Sequence, residues 1–443
     1  MVPPLAGSEK VHITSRILPN VRPGWDNPGT MTLLTDTVTA VTAAPAPADA
    51  PSAPGRERIR RPLTIGRLTV DPPVMLAPMA GVTNMAFRVL CREFGALHSE
   101  DDGGLFPTEM VTTRALIEDH RESWRLLRMA DRERPRSVQL YGVDPAVVAR
   151  SVEMILERDG ADHIDLNFGC PVPKVTRRGG GGVLPWKDEL FTRILRAAVE
   201  AAGDVPVTLK TRKGVDDGHL TYRDAGLIAQ EVGAAAITLH GRTVKEQYSG
   251  TADWSSIADL KQTVTDIPVL GNGDVWSAED ALRMMDETGA DGVVVGRGCQ
   301  GRPWLFADLA AAFAGRPDRI RPSMGDIAVI LRRHAELLIE FFEDEGRALR
   351  DLRKHVAWYF KGYPVGGDMR RRLATMESLV DLDEKLSELD LTAPYPGADV
   401  EGPRGRTGHP RNATVPAGWM DTRELSDEHR ARLHEAELDI SGG

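Results

Sequence analysis

Asp165-Leu166-Asn167-Phe168-Gly169-Cys170-Pro171-Val172-Pro173-Lys174 is an apolar run that stops in polar residues and a rigid, proline-rich loop. Together with 163–164 it forms one of eight short apolar runs between about 62 and 315, the others being 74–77, 105–106, 137–141, 206–211, 236–240, 267–270 and 292–295. Helix-like stretches separate them, for example Phe87, Leu90, Cys91 and Phe94 at i, i+3, i+4 and i+7, with Thr83 or Asn84 as cap. This alternation predicts an α/β fold, a (β/α)8 TIM barrel, with a doubly wound sheet as the alternative. Almost every run ends at unusual polar or turn residues: Pro78-Met79-Ala80, Thr108-Glu109, Gln139, Asn167 with Cys170, Lys210 with Arg212, His240 with Arg242, Asn272 with Asp274, and Gly296-Arg297. In a barrel these carboxyl-terminal strand ends converge on one mouth, where barrel enzymes place their chemistry.

Outside that region the composition changes. Residues 1–61 show no sustained periodicity, and 41–55 hold 6 Ala and 4 Pro, so a disordered extension is expected, one that a start codon placed too far upstream would also produce. The barrel is expected over 62–315. A small C-terminal helical domain follows over 325–390, beginning with the stripe Ile327, Ile330, Leu331, Leu338 and Phe341. The stretch 391–443 reads as an acidic tail, partly disordered, with a polar helix near its end. Of 443 residues 41% are hydrophobic and 27% charged, which excludes a wholly disordered chain. The absence of any apolar stretch of ~18 residues or signal-peptide segment predicts a soluble, cytoplasmic protein with no membrane partner. Three cysteines provide no disulfide framework, and no zinc spacing is present, so no metal is expected. The net charge of −10 argues against a uniformly basic nucleic-acid coat, yet 347–372 carry 8 basic residues against Asp351 and Asp368. A monomer is expected.

Cys91 lies on an apolar helix face and reads as core. Position alone leaves Cys170 equally a small buried filler and a thiol held above the mouth. Gly296-Arg297-Gly298-Cys299-Gln300-Gly301 matches a dinucleotide pattern, but no further strand with an acidic end follows it, as a Rossmann unit requires. As the last loop of a barrel it offers backbone NH groups and a guanidinium to one phosphate. Gly271-Asn272-Gly273-Asp274 fits the same site, so a mononucleotide is expected, flavin mononucleotide (FMN) above all. The run Gly179-Gly180-Gly181-Gly182 reads as a phosphate cradle, a mobile substrate loop or a plain linker. His334 reads as a core histidine, and the arginine-rich stretch 121–136 as a solvated face.

These blocks carry a resemblance. Ala77-Pro78-Met79-Ala80-Gly81-Val82-Thr83, Val138-Gln139-Leu140-Tyr141-Gly142, the Cys170 segment, Leu209-Lys210-Thr211-Arg212, Leu239-His240-Gly241-Arg242-Thr243, Gly271 to Asp274, and Gly296-Arg297 resemble, in order, the motifs of the tRNA-dihydrouridine synthases. The similarity runs over roughly 65–390, includes Arg353-Lys354-His355 in the helical domain, and is nearest to the bacterial B-like branch. It implies a cytoplasmic, FMN-dependent oxidoreductase that uses NADPH to reduce specific uridines of tRNA, with hydride from reduced FMN to C6 and a proton from Cys170 to C5.

It also implies FMN contacts from Pro78, Met79, Ala80, Gln139, Lys210, His240, Asn272, Gly273, Asp274, Gly296 and Arg297. Substrate contacts are expected from Asn167, Lys174, Arg177, Arg178, Arg212, Arg353 and Lys354, and Asn167 and His240 face either the uracil or the flavin ring. A flavin enzyme acting on a free pyrimidine such as dihydroorotate, and a non-catalytic RNA-binding factor on a retained barrel, are the alternatives. The acidic connection between Gly95 and Thr108 is longer than the family's usual one, which puts the second strand in question.

Overall fold

The computed structural model describes residues 43–44 and 61–436, apart from 101, 102, 159, 406 and 407. The expected extension over 1–61 therefore falls almost wholly outside the described residues. Eight parallel strands follow one another in sheet order: β1 Val74–Leu76, β2 Val111–Thr112, β3 Ser137–Tyr141, β4 His163–Phe168, β5 Val207–Arg212, β6 Ala236–His240, β7 Val269–Asn272 and β8 Gly292–Val295. β8 returns to β1, pairing Val294 with Met75. The fold is the expected (β/α)8 barrel.

Closure between β1 and β2 differs from expectation. The run 105–106 does not form the second strand; Leu105 makes one parallel bridge to Met75, and the strand itself lies at Val111–Thr112 against Leu140 and Tyr141. Pro107 lacks a backbone NH, so no continuous ladder can run through it. The segment splits its bonds instead, with Leu76 N donating to Leu105 O at 2.8 Å and Thr108 N to Ser137 O at 3.0 Å.

Alternation along the strands separates two environments. Outward residues such as Val74, Leu76, Ile164, Leu166 and Leu209 join the core beneath the helices. Among the inward residues, Met75, Ala236, Leu270 and Val294 pack with Leu63, Ile65 and Val70 of an amino-terminal hairpin, Leu63–Ile65 with Leu68–Val70, which plugs the barrel. The inward faces of β3 to β5 are polar instead.

Helices Met324–Phe342, Glu345–Tyr359, Gly367–Leu373 and Leu379–Ser387 form the C-terminal helical region. Ser323 and Asp326 make a reciprocal capping box at the first, satisfying two end donors of the backbone. Ile327, Leu331 and Leu338 share a buried cluster with Met85, Leu90 and Phe94 of the barrel helix Met85–Gly95, so apolar burial docks the helical region on the barrel. His334 lies in this core, its Nδ1 3.1 Å from Tyr359 Oη, and Cys91 is fully buried.

Gly104, at φ +132°, sits where a Cβ would overlap the Val74 carbonyl oxygen at the closure point. Gly104→Ala should therefore destabilise the protein by roughly 2 kcal/mol or more, against about 1 kcal/mol for Gly160→Ala, whose positive φ faces open space. Denaturant midpoints check this; equal losses would remove the close approach at Gly104 as a closure constraint.

Candidate active site

The polar interior is one continuous hydrogen-bond chain. Ser137 Oγ lies 2.7 Å from His163 Nδ1, and His163 Nε2 lies 2.9 Å from Thr208 Oγ1. Thr208 donates to Asp165 Oδ1 at 2.6 Å, and Gln139 Nε2 to Asp165 Oδ2 at 2.6 Å. Asn167 Nδ2 donates to Gln139 Oε1 at 2.9 Å, while its Oδ1 accepts from Gly169 N at 3.1 Å and Cys170 N at 3.0 Å. Directions follow from valence. Thr208 has one proton, given to the carboxylate, so His163 donates from Nε2 and accepts from Ser137 at Nδ1. That ring is neutral, burial holding its pKa down at about 3. Burial likewise raises the Asp165 pKa, opposed by the bonds from Thr208 and Gln139 and by Lys210.

The chain ends at the backbone of Cys170. Burial raises the thiol pKa against the Val172 NH, Arg212 and Lys210, which favour the thiolate. The group is therefore a protonated thiol at neutral pH. Arg212 holds the same loop from the other side, donating Nε to Gly169 O at 2.8 Å and Nη1 to Thr243 O and Gln247 O.

Strand register gathers the other expected residues. Asn167 pairs with Lys210, Arg212 with His240, and His240 with Asn272 on successive strands. Lys210 is half-buried and no described carboxylate makes an ion pair with it; burial, then Arg212, lower its pKa to about 7, against Asp165 and Cys170. Burial together with Arg212, Lys210, Arg242 and Arg297 holds His240 neutral. At the ends of β7 and β8, Asp274 at φ +56° accepts from Arg242 at 2.7 Å and Arg297 at 3.3 Å. Arg297 lies between Tyr248 and Trp276, 4.8 and 5.0 Å from their ring centres, and Arg212 lies 5.4 Å from the same Tyr248. A cavity of about 600 Å³ beside them is lined by Arg242, Tyr248, Asp274, Trp276 and Arg297. Gly273, at φ +122°, approaches His240 where a side chain would crowd it, and Gly296 faces Ala77 and Met79. Met79, between Pro78 and Ala80, accepts at Sδ from Gln300 at 3.5 Å.

Some expected contact residues are committed elsewhere. The Asn272 carboxamide donates to Val294 O at 2.7 Å and ties β7 to β8. Arg353 donates to Met376 O and Thr375 O inside the helical region. Lys354 pairs with Asp351 at 2.6 Å, yet its Nζ lies 3.4 Å from where a Cβ on Gly81 would stand, so the helical region reaches the loop after β1. Arg177 is exposed on the rim, with Lys174 and Arg178 half-buried beside it.

Two buried groups escaped the sequence reading, Asp165 and His163, and a third, Glu109, was seen only as a polar run end. The signal for the first two was the strict alternation of His163, Asp165 and Asn167 with apolar residues, which marks a polar inward face. What Glu109 binds had no local signal, since its partners come from distant segments. Its Oε2 accepts from Gly81 N at 2.5 Å, and burial raises its pKa to about 7, opposed by the Gly81 NH, Lys354 and Arg88 and reinforced by Asp351. Among the described residues no group of His, Cys, Asp and Glu is placed to hold a metal, and no helix is long and apolar enough to cross a membrane.

The family model for dihydrouridine synthase (Dus) matches residues 75–393. A probable tRNA-dihydrouridine synthase of Mycobacterium tuberculosis is 53% identical over 361 residues, 81% of this chain and 92% of the relative. The tRNA-dihydrouridine synthase B of Xanthomonas campestris is 39% identical over 308 residues, 70% of this chain and 90% of the relative.

A carboxyl group whose folded pKa stands above its unfolded value of 4.5 loses stability as pH rises through the interval up to about 7, here by roughly 3 kcal/mol in full. Glu109→Gln should therefore melt higher than the native protein at pH 8 by a margin that vanishes by about pH 4, below both values. Thermal melts at the two pH values decide; a gap that does not change with pH clears Glu109.

Proposed function

Because the chain belongs to the dihydrouridine synthase family, we propose that it reduces uridines of tRNA to 5,6-dihydrouridine, with FMN as bound cofactor and NADPH as reductant. The observation that carries the reading is the juxtaposition at β4 and β5: a protonated thiol on a rigid loop, beside the Lys210 amine, which has no ion-pair partner among the described residues. A cation partly withdrawn from water is costly unless an anion completes its surroundings, and a reduced flavin is such an anion.

The donor set fits FMN. Lys210 would hold its ring edge; Gly273, Asp274, Gly296 and Arg297 would hold its phosphate end, with Pro78, Met79 and Ala80 alongside. Asp274 occupies one of the five N–H donors of Arg297, so the guanidinium is already oriented. Gln139, whose amide links Asn167 and Asp165, would meet the ring from a fixed position. When bound, reduced FMN supplies the hydride that C6 of the uracil accepts.

The protein's own part is the proton. Hydride addition at C6 leaves enolate character over C4 and C5, and C5 needs an acid within reach. Cys170 keeps its proton at neutral pH because burial disfavours the thiolate, and Lys210 and Arg212 nearby stabilise the negative sulfur once the proton leaves. Asn167, bonded to the Cys170 NH, fixes the loop from which the thiol acts.

A uridine must leave its stack to reach the mouth, at a cost of roughly a few kcal/mol that contacts to the RNA backbone offset. Lys174, Arg177 and Arg178 on the rim, with Lys354 and Arg350 of the helical region, are the proposed grip.

Cys170→Ala should retain FMN and its reduction by NADPH while losing about 10²-fold or more in dihydrouridine formation, as removal of a general acid does. Mass-spectrometric mapping of dihydrouridine in tRNA, alongside anaerobic flavin reduction, tests this; unchanged turnover takes Cys170 out of the reaction. Arg177→Ala should weaken tRNA binding and reduce the slope of log K against log salt by about one. A titration series in KCl whose slope matches the native one would show that Arg177 touches no phosphate.

A further inference from the structure

The described residues of 391–436 have no part in the chemistry above, yet several of them are anchored to the loops around the barrel mouth. Lys361 of the helical region donates to Glu401 O at 2.7 Å and Pro403 O at 3.2 Å. Arg404, 3% exposed, donates to Gln300 O at 3.1 Å in the loop after β8 and to Trp358 O at 2.7 Å. Arg411 N donates to Lys245 O at 2.9 Å in the loop after β6. Arg423 pairs with Asp224 at 2.7 Å and Asp188 at 3.6 Å. Between these anchors Trp419, 1% exposed, is driven beneath the loop that carries Cys170.

That loop explains its glycines. Gly182 N donates to Cys170 O at 3.0 Å, and a Cβ on Gly181, at φ +59°, would stand 2.6 Å from the same oxygen. A Cβ on Gly180 would collide with the Tyr141 hydroxyl, and one on Gly179, at φ +83°, with the Trp419 ring. The run is thus a packed slab with the cysteine on one side and the indole on the other. Trp419 Nε1 donates to Val183 O at 3.1 Å. Lys187, fully buried, lies 5.1 Å from the indole ring and donates Nζ to Thr422 O at 2.6 Å and Glu424 O at 2.7 Å, binding the tail to the end of the slab.

We propose that the tail is a strap that completes the active site, and that Trp419 is a positioning residue for the proton donor, acting on Cys170 through the slab of Gly179 to Val183. The inference rests on Cys170 being that donor. Asn167 and Arg212 fix the strand side of the loop, and Trp419 fixes the far side, so the thiol is held from both ends. An error of about 1 Å in placing a reacting group costs up to about 10²-fold in rate, which is the scale of effect the strap controls.

The test uses the full-length, FMN-loaded protein and its Trp419→Ala and Trp419→Phe variants. Trp419→Ala should reduce the rate of uridine reduction by about tenfold or more, with flavin reduction by NADPH and the KM for tRNA each within about twofold of native. The rate at which iodoacetamide alkylates Cys170, read by peptide mass spectrometry without any turnover, should rise by about tenfold as the loop loosens. Trp419→Phe keeps most of the ring volume but loses the bond to Val183 O, so both readouts should fall between native and Trp419→Ala. Should Trp419→Ala fail to fold, Trp419→Phe decides alone. A folded variant with native uridine reduction and native alkylation overturns the proposal while leaving the assigned activity intact. If Cys170→Ala itself stays active, the assignment of the proton donor falls, and native alkylation of the Trp419 variants would then end the strap's hold on the loop as well.

Discussion

The carboxamide of Asn167 is the joint on which the site turns. One end of it is fixed by Gln139, and through Gln139 by Asp165, Thr208, His163 and Ser137 deep in the barrel; the other end accepts two backbone NH groups of the Cys170 loop. Every member of this chain is satisfied in one direction of donation, and in a low-dielectric interior a fully satisfied polar network is rigid where a half-satisfied one is costly. The barrel thereby spends its polar interior on orienting a loop that would otherwise answer only to solvent. Mobility of the thiol is limited by the same bonds that stabilise β3 to β5.

Around this joint the charge balance is lopsided. Lys210, Arg212, Arg242 and Arg297 crowd His240, which stays neutral, while Asp274 is shared by Arg242 and Arg297, and Asp165 lies below Lys210. Burial already weakens the proton hold of Lys210. An anion arriving at this ring gains from cations whose desolvation was met during folding, which is how preorganised sites favour charge that develops late.

The barrel was legible because its strands recur with helices between them and end in polar residues at fixed places. Cys170, Lys210, His240 and Arg297 were legible as strand ends, and register then sets them side by side without further information. The second strand was not, since Pro107 divides its bonds between two neighbours, and no local pattern shows which half pairs with which strand. The interior relay was present as a period-two pattern in His163, Asp165 and Asn167, but an apolar run and an alternating one look alike over six residues. The partner of Glu109, and Trp419 altogether, were invisible for a different reason: the bonds run 28 and 236 positions along the chain, to Gly81 and Val183. A tail rich in Pro and Gly carries no periodicity even where single residues such as Arg404 and Trp419 are buried.

The basic segment 347–372 shows how folding changes a charge count. Arg347 pairs with Glu122 and Arg372 with Glu388, so part of the local excess is neutralised by carboxylates outside the segment, while Arg371 pairs with Asp368 within it. Arg353 and Arg370 are turned to carbonyl oxygens, which keeps their charge but commits their geometry. Lys354 stands apart because it faces Gly81 and lowers the pKa of Glu109, a carboxyl otherwise pushed up by burial. Glu109 holds the loop after β1 through Gly81 N, and Lys354 brings the charge of the helical region within reach of that carboxyl although most of the barrel separates the two in sequence.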